Sequence, residues 1–509
     1  MCYNLYSRVF SLGGEIMEGI ITVAYNYEKS MEINKKKQLG AFYTDYKLAS
    51  YIVKNLNINS TDKVIDPACG GCVFINALRD YLGKEFNINN VFGIDIDKSV
   101  IKIIQGELAN NNNFDIVKKN FICADSINKK TSIEIKNGKE YFDYVIGNPP
   151  YVTGKNGINY NENAFNYNEY INGNVNLSML MLIRAFDLLK VGGVVAYILP
   201  KNLLYVDAYE KLRVKLLTEY SILEIVNLGL YFKDVRGEQI VLFVKKEAPS
   251  DNHKIKVRFL KNKKDFVFED VEIYQKDFRY NNKIILLKNK NEIEIIRKMD
   301  LIDLKLESLV DGNIVRGMAF DLKEDNYNAY RGRDIKKFGV KKSIKGIPKM
   351  TSNYYQKINL LQNKKVILQN IFSAESGIIA SYTDENYLTT ETVTNIIFNK
   401  EDDAKYILGL LNSRLLNYYL IFAVYNNSKV TMHTDRKYIG CLPIVVNDDK
   451  KKEVVSLVND ALSNSQDGSK IKEILKKLDC IVYSIYGLKN DQISLIENNL
   501  REVLSKEWW

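Results

Sequence analysis

The stretch that decides the fold is Val64-Ile65-Asp66-Pro67-Ala68-Cys69-Gly70-Gly71. An apolar pair runs into an acid, a proline and two glycines, which predicts a strand ending in a tight turn. A helical pattern over residues 73–81 follows. Glycine lets backbone approach a ligand closely, and the first turn of the next helix offers N–H groups without partners. The same alternation repeats outward from this unit. Residues 90–96 read as a second strand, 99–109 as a helix capped by Ser99, 120–124 as a third strand and 142–146 as a fourth. Residues 177–189 read as an amphipathic helix stopped by Gly192-Gly193, and 194–199 as a fifth strand. Residues 223–228 and 239–244 bring the count to seven strands. Strands separated by helices need right-handed crossovers, so the expected class is α/β with a doubly wound, mainly parallel, seven-stranded sheet. Ligands of such sheets bind at the carboxyl ends of the strands.

At 509 residues the chain is too long for one core. After about residue 250 the regular alternation gives way to short β-like runs rich in Tyr and Asn. The expected division is an N-terminal extension over 1–37, the α/β domain over 38–290 and a mixed α+β domain over 291–509. Residues 406–422 and 471–500 read as helices of that last domain. Hydrophobic residues at 46% and charged residues at 26% place the chain among globular proteins rather than disordered or fibrous ones. Residues 1–25 carry Arg8, Glu15 and Glu18 and show no signal-peptide core, and Met17 is a second candidate start. No run of about 18 uncharged apolar residues occurs, so a cytoplasmic protein without a membrane partner is expected.

Six cysteines are scattered without a secretory spacing. Cys69 and Cys72 form a Cys-x-x-Cys pair, but no second pair exists and the only histidines are His253 and His433. A four-ligand zinc site is hard to assemble from that set, so no metal is expected.

The formal charge of +10 favours a polyanionic partner, although an AT-rich coding genome explains Lys abundance equally well. Residues 331–349 concentrate Arg331, Arg333, Lys336, Lys337, Lys341, Lys342, Lys345 and Lys349 against Asp334 alone. The competing reading of such a run is a solvated surface.

Two further motifs stand at strand ends. Asp95, in Gly93-Ile94-Asp95-Ile96-Asp97, lies 24 residues beyond Gly71. Doubly wound folds place there an acid that accepts hydrogen bonds from ribose hydroxyls. Asn148-Pro149-Pro150-Tyr151 follows the fourth strand. An exocyclic amino group on a base is a poor nucleophile, because its lone pair is delocalised into the ring. The Asn148 side-chain oxygen and the Pro149 carbonyl can each accept one of its N–H bonds, drawing the nitrogen towards a tetrahedral form. Two prolines hold both acceptors ready, and Tyr151 can stack on an extruded ring.

This set resembles the amino-group DNA methyltransferases, in particular the gamma-ordered, TaqI-like adenine N6 enzymes. Gly40-Ala41-Phe42-Tyr43-Thr44 is similar to the segment that meets the methionine part of the cofactor in that family. Where the family usually continues Gly-Ser-Gly, this chain has Gly70-Gly71-Cys72. The resemblance implies S-adenosyl-L-methionine as cofactor, bound by Tyr43, Thr44, Asp66, Ala68, Gly70, Asp95, Ile96 and Asp125. It implies Asn148, Pro149, Pro150 and Tyr151 as the catalytic group. Gly229-Leu230-Tyr231-Phe232 resembles the segment whose aromatic residue packs on the target adenine, which assigns that contact to Phe232 beside Tyr151. Tyr330-Arg331-Gly332-Arg333-Asp334-Ile335, Leu410-Leu411-Asn412-Ser413-Arg414-Leu415-Leu416 and Leu442-Pro443-Ile444 resemble segments of the family's C-terminal specificity domain. Double-stranded DNA is then the substrate, met by Arg331, Arg333, Lys336, Lys337, Lys341 and Lys342. A cognate restriction endonuclease or defence-system subunit is the expected protein partner. Methyl transfer to RNA or to protein glutamine, cytosine N4 transfer, and a non-catalytic DNA-binding role remain the alternatives.

Overall fold

The computed structural model describes residues 44–509 except 110–112, 129–140, 153–168, 171–175, 233–234, 236, 279–280, 323–325, 385–386, 506–507 and 509. The expected extension over 1–37, and residues 40–43 with Tyr43, lie outside the described residues. The chain divides into two compact units, one ending at Ile284 and the other running from Ile285 to Trp509.

The first unit is built on one sheet. Its strands are β1 (Val64–Asp66), β2 (Val91–Asp95), β3 (Phe121–Cys123), β4 (Phe142–Gly147), β5 (Leu189–Pro200), β6 (Ser221–Gly229), β7 (Gln239–Lys245), β8 (Lys254–Asn262) and β9 (Val267–Tyr274). They are ordered β3-β2-β1-β4-β5-β7-β6-β8-β9. From β3 to β5 all neighbours are parallel, and β7 is inserted antiparallel between β5 and β6. Val64, Ile65 and Asp66 are all buried, as are six of the seven residues of β7, the signature of strands covered on both faces.

The sheet has nine strands where seven were expected. The seven are its contiguous part, and β8 and β9 extend the β6 edge. Their residues alternate Lys, Arg, Asp and Glu with apolar ones, because one face is solvated. Cross-strand pairs Lys254–Glu272 (3.0 Å), Lys256–Asp270 (3.3 Å) and Arg258–Asp270 (2.9 Å) line that face.

The α-helices among the described residues of this unit are α1 (Tyr46–Lys54), α2 (Val73–Leu82), α3 (Lys98–Leu108), α4 (Phe114–Asn120), α5 (Leu177–Leu188) and α6 (Glu210–Thr218). Asp45 caps α1 through Leu48 N (3.0 Å), and Leu48, Ala49, Ile52 and Val53 form its fully buried face. Three local expectations change. Asp97, not Ser99, caps α3, because its carboxylate accepts from Ser99 N (2.9 Å). Helix α5 is buried on nearly all sides rather than amphipathic, with only Leu177 and Asp187 partly exposed. Gly192-Gly193 does not stop a helix but lies inside β5. Register runs Phe142↔Leu189 and then Tyr144↔Val194, so residues 190–193 bulge out, and Gly192 takes φ 82° to allow it.

The second unit mixes small sheets with helices. One antiparallel sheet joins Ile314–Arg316, Val393–Ile397, Lys365–Gln369 and Ala380–Thr383. A second joins Phe320–Asp321, Ile344–Pro348, Tyr327–Tyr330 and Leu388–Thr389. The helix expected over 406–422 is two pieces, Glu401–Leu411 and Arg414–Tyr418, the latter continuing in wider turns to Val424. The break is made by side chains. Buried Asn412 donates to Ala380 O (3.3 Å), and Ser413 caps the second piece through Leu416 N (3.4 Å). The segment expected over 471–500 is likewise two helices, Gly468–Ile485 and Asn490–Arg501, separated at Gly487 with φ 59°. Among the described residues no single helix is long and apolar enough to cross a membrane.

Candidate active site

Strands β1, β2, β3 and β4 are parallel, so their carboxyl ends open on one rim. After β1, the Asp66 carboxylate (2% exposed) accepts from Ala68 N (3.1 Å) and folds the chain back into the glycine turn. Gly70 at φ 43° and Cys72 at φ 57° complete that turn, and α2 begins at once. At the end of β2, Asp95 braces the same turn. One carboxylate oxygen accepts from Gly70 N (2.9 Å) and the other from Asp97 N (2.8 Å). Burial pushes the Asp95 carboxyl above the usual carboxylate range, while those backbone N–H groups pull it back. Ile96 beside it is 64% exposed, an open apolar face on the rim.

Asp125 follows β3 and is exposed, with Ile127 N bonded to its carboxylate (3.2 Å). The next residue, Ser126, was not singled out in the sequence. Its hydroxyl donates to the Pro67 carbonyl and ties the β3 loop to the β1 turn. No local pattern marks it, since its partner is 59 positions away.

The tetrapeptide leaves β4 over Asp66. Gly147 makes this possible. It sits at φ 153°, and a Cβ there would stand 2.7 Å from Asp66 Oδ1. Asn148 is half-buried, and its amide is oriented from both ends. Its Nδ2 donates to Thr44 Oγ1 (3.0 Å), and Tyr151 O–H donates to its Oδ1 (2.9 Å). Burial pushes the Tyr151 phenol well above its ordinary range, so it stays protonated and donates. Thr44, Asp66, Ala68, Gly70, Phe74 and Asn148 line one cleft. The structure therefore gathers Thr44, Asp66, Ala68, Gly70 and Asn148 into a single site with Asp95 bracing it. Pro149 and Pro150 join Asn148 to Tyr151. Buried Phe74, on the first turn of α2, was not read as part of it.

Phe232 lies beyond β6, which runs parallel to β5, so it leaves the sheet at the same rim. Both Tyr231 N (3.2 Å) and Phe232 N (3.4 Å) donate to Gln239 Oε1. The two rings meet edge to face with centroids 5.1 Å apart.

The basic stretch of the second unit is divided. Arg331 is engaged by the buried Asp334 carboxylate (2.7 Å), Lys336 donates to Gln466 Oε1 (3.1 Å), and the Lys337 ammonium lies over the Trp508 ring. Arg333, Lys341, Lys342, Lys345 and Lys349 are exposed. The glycine of Tyr330-Arg331-Gly332-Arg333 is required by packing, because a Cβ there would stand 2.4 Å from the Thr392 carbonyl oxygen. Among the described residues no group of three or more His, Cys, Asp or Glu side chains is placed to hold a metal ion.

Residues 89–232 match the Eco57I restriction-modification methylase family, and residues 327–444 match the TaqI-like C-terminal specificity domain. The chain is similar to the type II methyltransferase M.HincII of Haemophilus influenzae, at 23% identity over 58% of this chain and 57% of that protein. It is also similar to the type II methyltransferase M.BanIII of Aneurinibacillus aneurinilyticus, at 29% identity over 38% of this chain and 36% of the relative. The chain spans about half the length of the curated relatives it matches. Among solved structures, the type IIL restriction-modification enzyme MmeI in complex with DNA superimposes with a TM-score of 0.55 at 12% identity. That likeness covers 93% of this chain and 80% of the other and is one of fold. One family match falls in each unit, the restriction-modification methylase in the first and the TaqI-like C-terminal specificity domain in the second.

Proposed function

We propose that this chain transfers a methyl group from S-adenosyl-L-methionine to the N6 amino group of adenine in double-stranded DNA. The observation that carries the reading is the Asn148 amide, held between Thr44 and Tyr151 at the end of β4, beside the glycine turn of β1. With Nδ2 committed to Thr44, Oδ1 becomes the acceptor on the base side once Tyr151 turns to stack. Oδ1 and the Pro149 carbonyl each take one N–H bond of the amino group, which restores its lone pair. Tyr151 and Phe232 hold the ring of the extruded base.

The cleft fits the cofactor chemically. Gly70 has no side chain where backbone must approach, Asp95 and Asp125 offer acceptors for hydroxyl and amino hydrogens, and exposed Ile96 offers an apolar face for a purine. When bound, the cofactor supplies a methyl group on a positively charged sulfur. Thr44, Asp66, Ala68, Gly70, Asp95, Ile96 and Asp125 would hold it, together with Tyr43. Residues 38–290 then form the catalytic domain and 291–509 the target-recognition domain. The match to a restriction-modification methylase model, and a relative named as both restriction enzyme and methyltransferase, support a cognate nuclease or defence-system subunit as partner and with it a cytoplasmic location, where the DNA is.

Mapping modified bases in DNA from a methylation-free host that expresses the chain tests the reaction, with N6-methyladenine at one recurring sequence as the expected product. DNA binding has its own test. Arg333→Ala, Lys341→Ala and Lys342→Ala together should weaken binding equally for all sequences. The log–log salt slope should fall by roughly one for each phosphate that is no longer neutralised. Lys336→Ala and Lys337→Ala should change stability more than that slope, because those ammonium groups already have partners. A slope unmoved by the triple variant returns the stretch to an ordinary solvated surface.

A further inference from the structure

Tyr231 is pinned far more tightly than a core aromatic needs. Its side chain is 4% exposed. Its hydroxyl donates to Asp45 Oδ2 (2.6 Å), while Asp45 Oδ1 caps α1 at Leu48 N (3.0 Å). Its amide N–H donates to Gln239 Oε1 (3.2 Å), and its carbonyl accepts from Lys263 Nζ (2.9 Å). The same ammonium stands 3.9 Å from the centre of the Tyr231 ring. Lys263 sits at the turn between β8 and β9, so the two strands added to the expected seven supply part of this clamp.

The two ends of the clamp are functional neighbours. Asp45 follows Thr44, which orients the Asn148 amide (3.0 Å). Tyr231 precedes Phe232 and packs edge-on against it. We propose that Tyr231 is a positioning residue whose hydroxyl bond to Asp45 holds the Phe232 side of the base pocket in register with the Thr44–Asn148 side. This rests on the adenine-transfer reading of the cleft. Reacting atoms must be held to a fraction of an ångström, and segments 186 residues apart reach that only through a direct strut. A phenol whose ionisation is pushed up by burial and by the Asp45 carboxylate donates at every working pH.

Tyr231→Phe removes the hydroxyl and keeps the ring. Asp45→Asn keeps the helix cap, since Asn caps as well as Asp, and removes the charged acceptor. Both should lower the single-turnover rate at saturating S-adenosyl-L-methionine and DNA by about tenfold or more, the scale of a broken charge-assisted hydrogen bond. Both dissociation constants should stay within about threefold and the melting temperature within about 2 °C. The double variant should be no slower than the worse single one, since both substitutions act on the same bond. A Tyr231→Phe enzyme at wild-type rate overturns the strut, and so do losses that track melting temperature and cofactor affinity together. A wild-type chain that methylates no DNA overturns the adenine-transfer reading and this inference with it. The two failures are distinguished by the wild-type measurement alone.

Discussion

Asn148→Ala is expected to lower the single-turnover rate of methyl transfer by about 100- to 1,000-fold or more. Affinity for S-adenosyl-L-methionine and for DNA should stay within about threefold, because an interaction made only in the transition state affects rate and not binding. Asn148 sits at the end of β4, beside the glycine turn of β1. It touches Thr44 and Tyr151 and lines the cleft, whereas the Asp66 and Asp95 carboxylates hold Ala68 N, Gly70 N and Asp97 N. The substitution spares those three turn bonds. Rapid-quench transfer of a labelled methyl group reads the rate, and calorimetry reads the cofactor affinity. A variant that turns over within tenfold of wild type would show that the acceptor pair is not the source of activation.

The second large effect lies in the C-terminal unit. Arg414 and Asp479 are 6% and 2% exposed, and they knit the broken helix to the closing ones. Arg414 N donates to Asp479 Oδ1 (2.7 Å). The guanidinium stands 3.5 Å from Asp479 Oδ2 and bonds Glu497 (3.0 and 3.1 Å) and the Trp508 carbonyl (2.9 Å). Arg414→Ala should cost this unit about 3–5 kcal/mol at pH 8, since it strands the buried Asp479 carboxylate, and its partly buried neighbour Glu497, without their cation. Burial pushes the Asp479 carboxyl up to about 7, against the opposing pull of Arg414. The folded state therefore holds a proton that the unfolded state releases near pH 4. The stability this contributes is complete below pH 4 and is lost as pH rises to about 7. Asp479→Asn should flatten that slope. The chain has two tryptophans, Trp508 and Trp509, so fluorescence-detected urea unfolding follows this unit. A wild-type midpoint that rises between pH 5 and 8, with Asp479→Asn indistinguishable from it, would contradict the account.

The sequence disclosed the sheet wherever burial was two-sided. Val64-Ile65 and residues 240–244 are continuous apolar runs and could be read directly. Strands β8 and β9 could not, because a half-solvated hairpin alternates charge with apolar residues and its pairing partners lie across the turn. Gly192-Gly193 misled for a related reason. Glycine punctuates chains, but here it absorbs a four-residue bulge inside a strand. The helix break at Asn412-Ser413 depends on the Ala380 carbonyl, 32 positions away. Spacing within the segment does not reveal such a partner.

The site divides in the same way. Asn148 to Tyr151 and the glycine turn were legible as local motifs at strand ends. The hydrogen bond that orients Asn148 joins positions 104 apart, and the Tyr231–Asp45 bond joins positions 186 apart. Basic residues 331–349 looked uniform as a run, yet Arg331, Lys336 and Lys337 face partners within their own unit. Composition counts charges, and only the fold assigns them.

The most direct test of the central claim is single-molecule sequencing of DNA from a methylation-free bacterial host carrying either the wild-type chain or Asn148→Ala. N6-methyladenine is expected at one recurring sequence with the wild-type chain and none with the variant. N4-methylcytosine in its place, or unmodified DNA from a host whose expressed chain is folded and binds S-adenosyl-L-methionine, would contradict it.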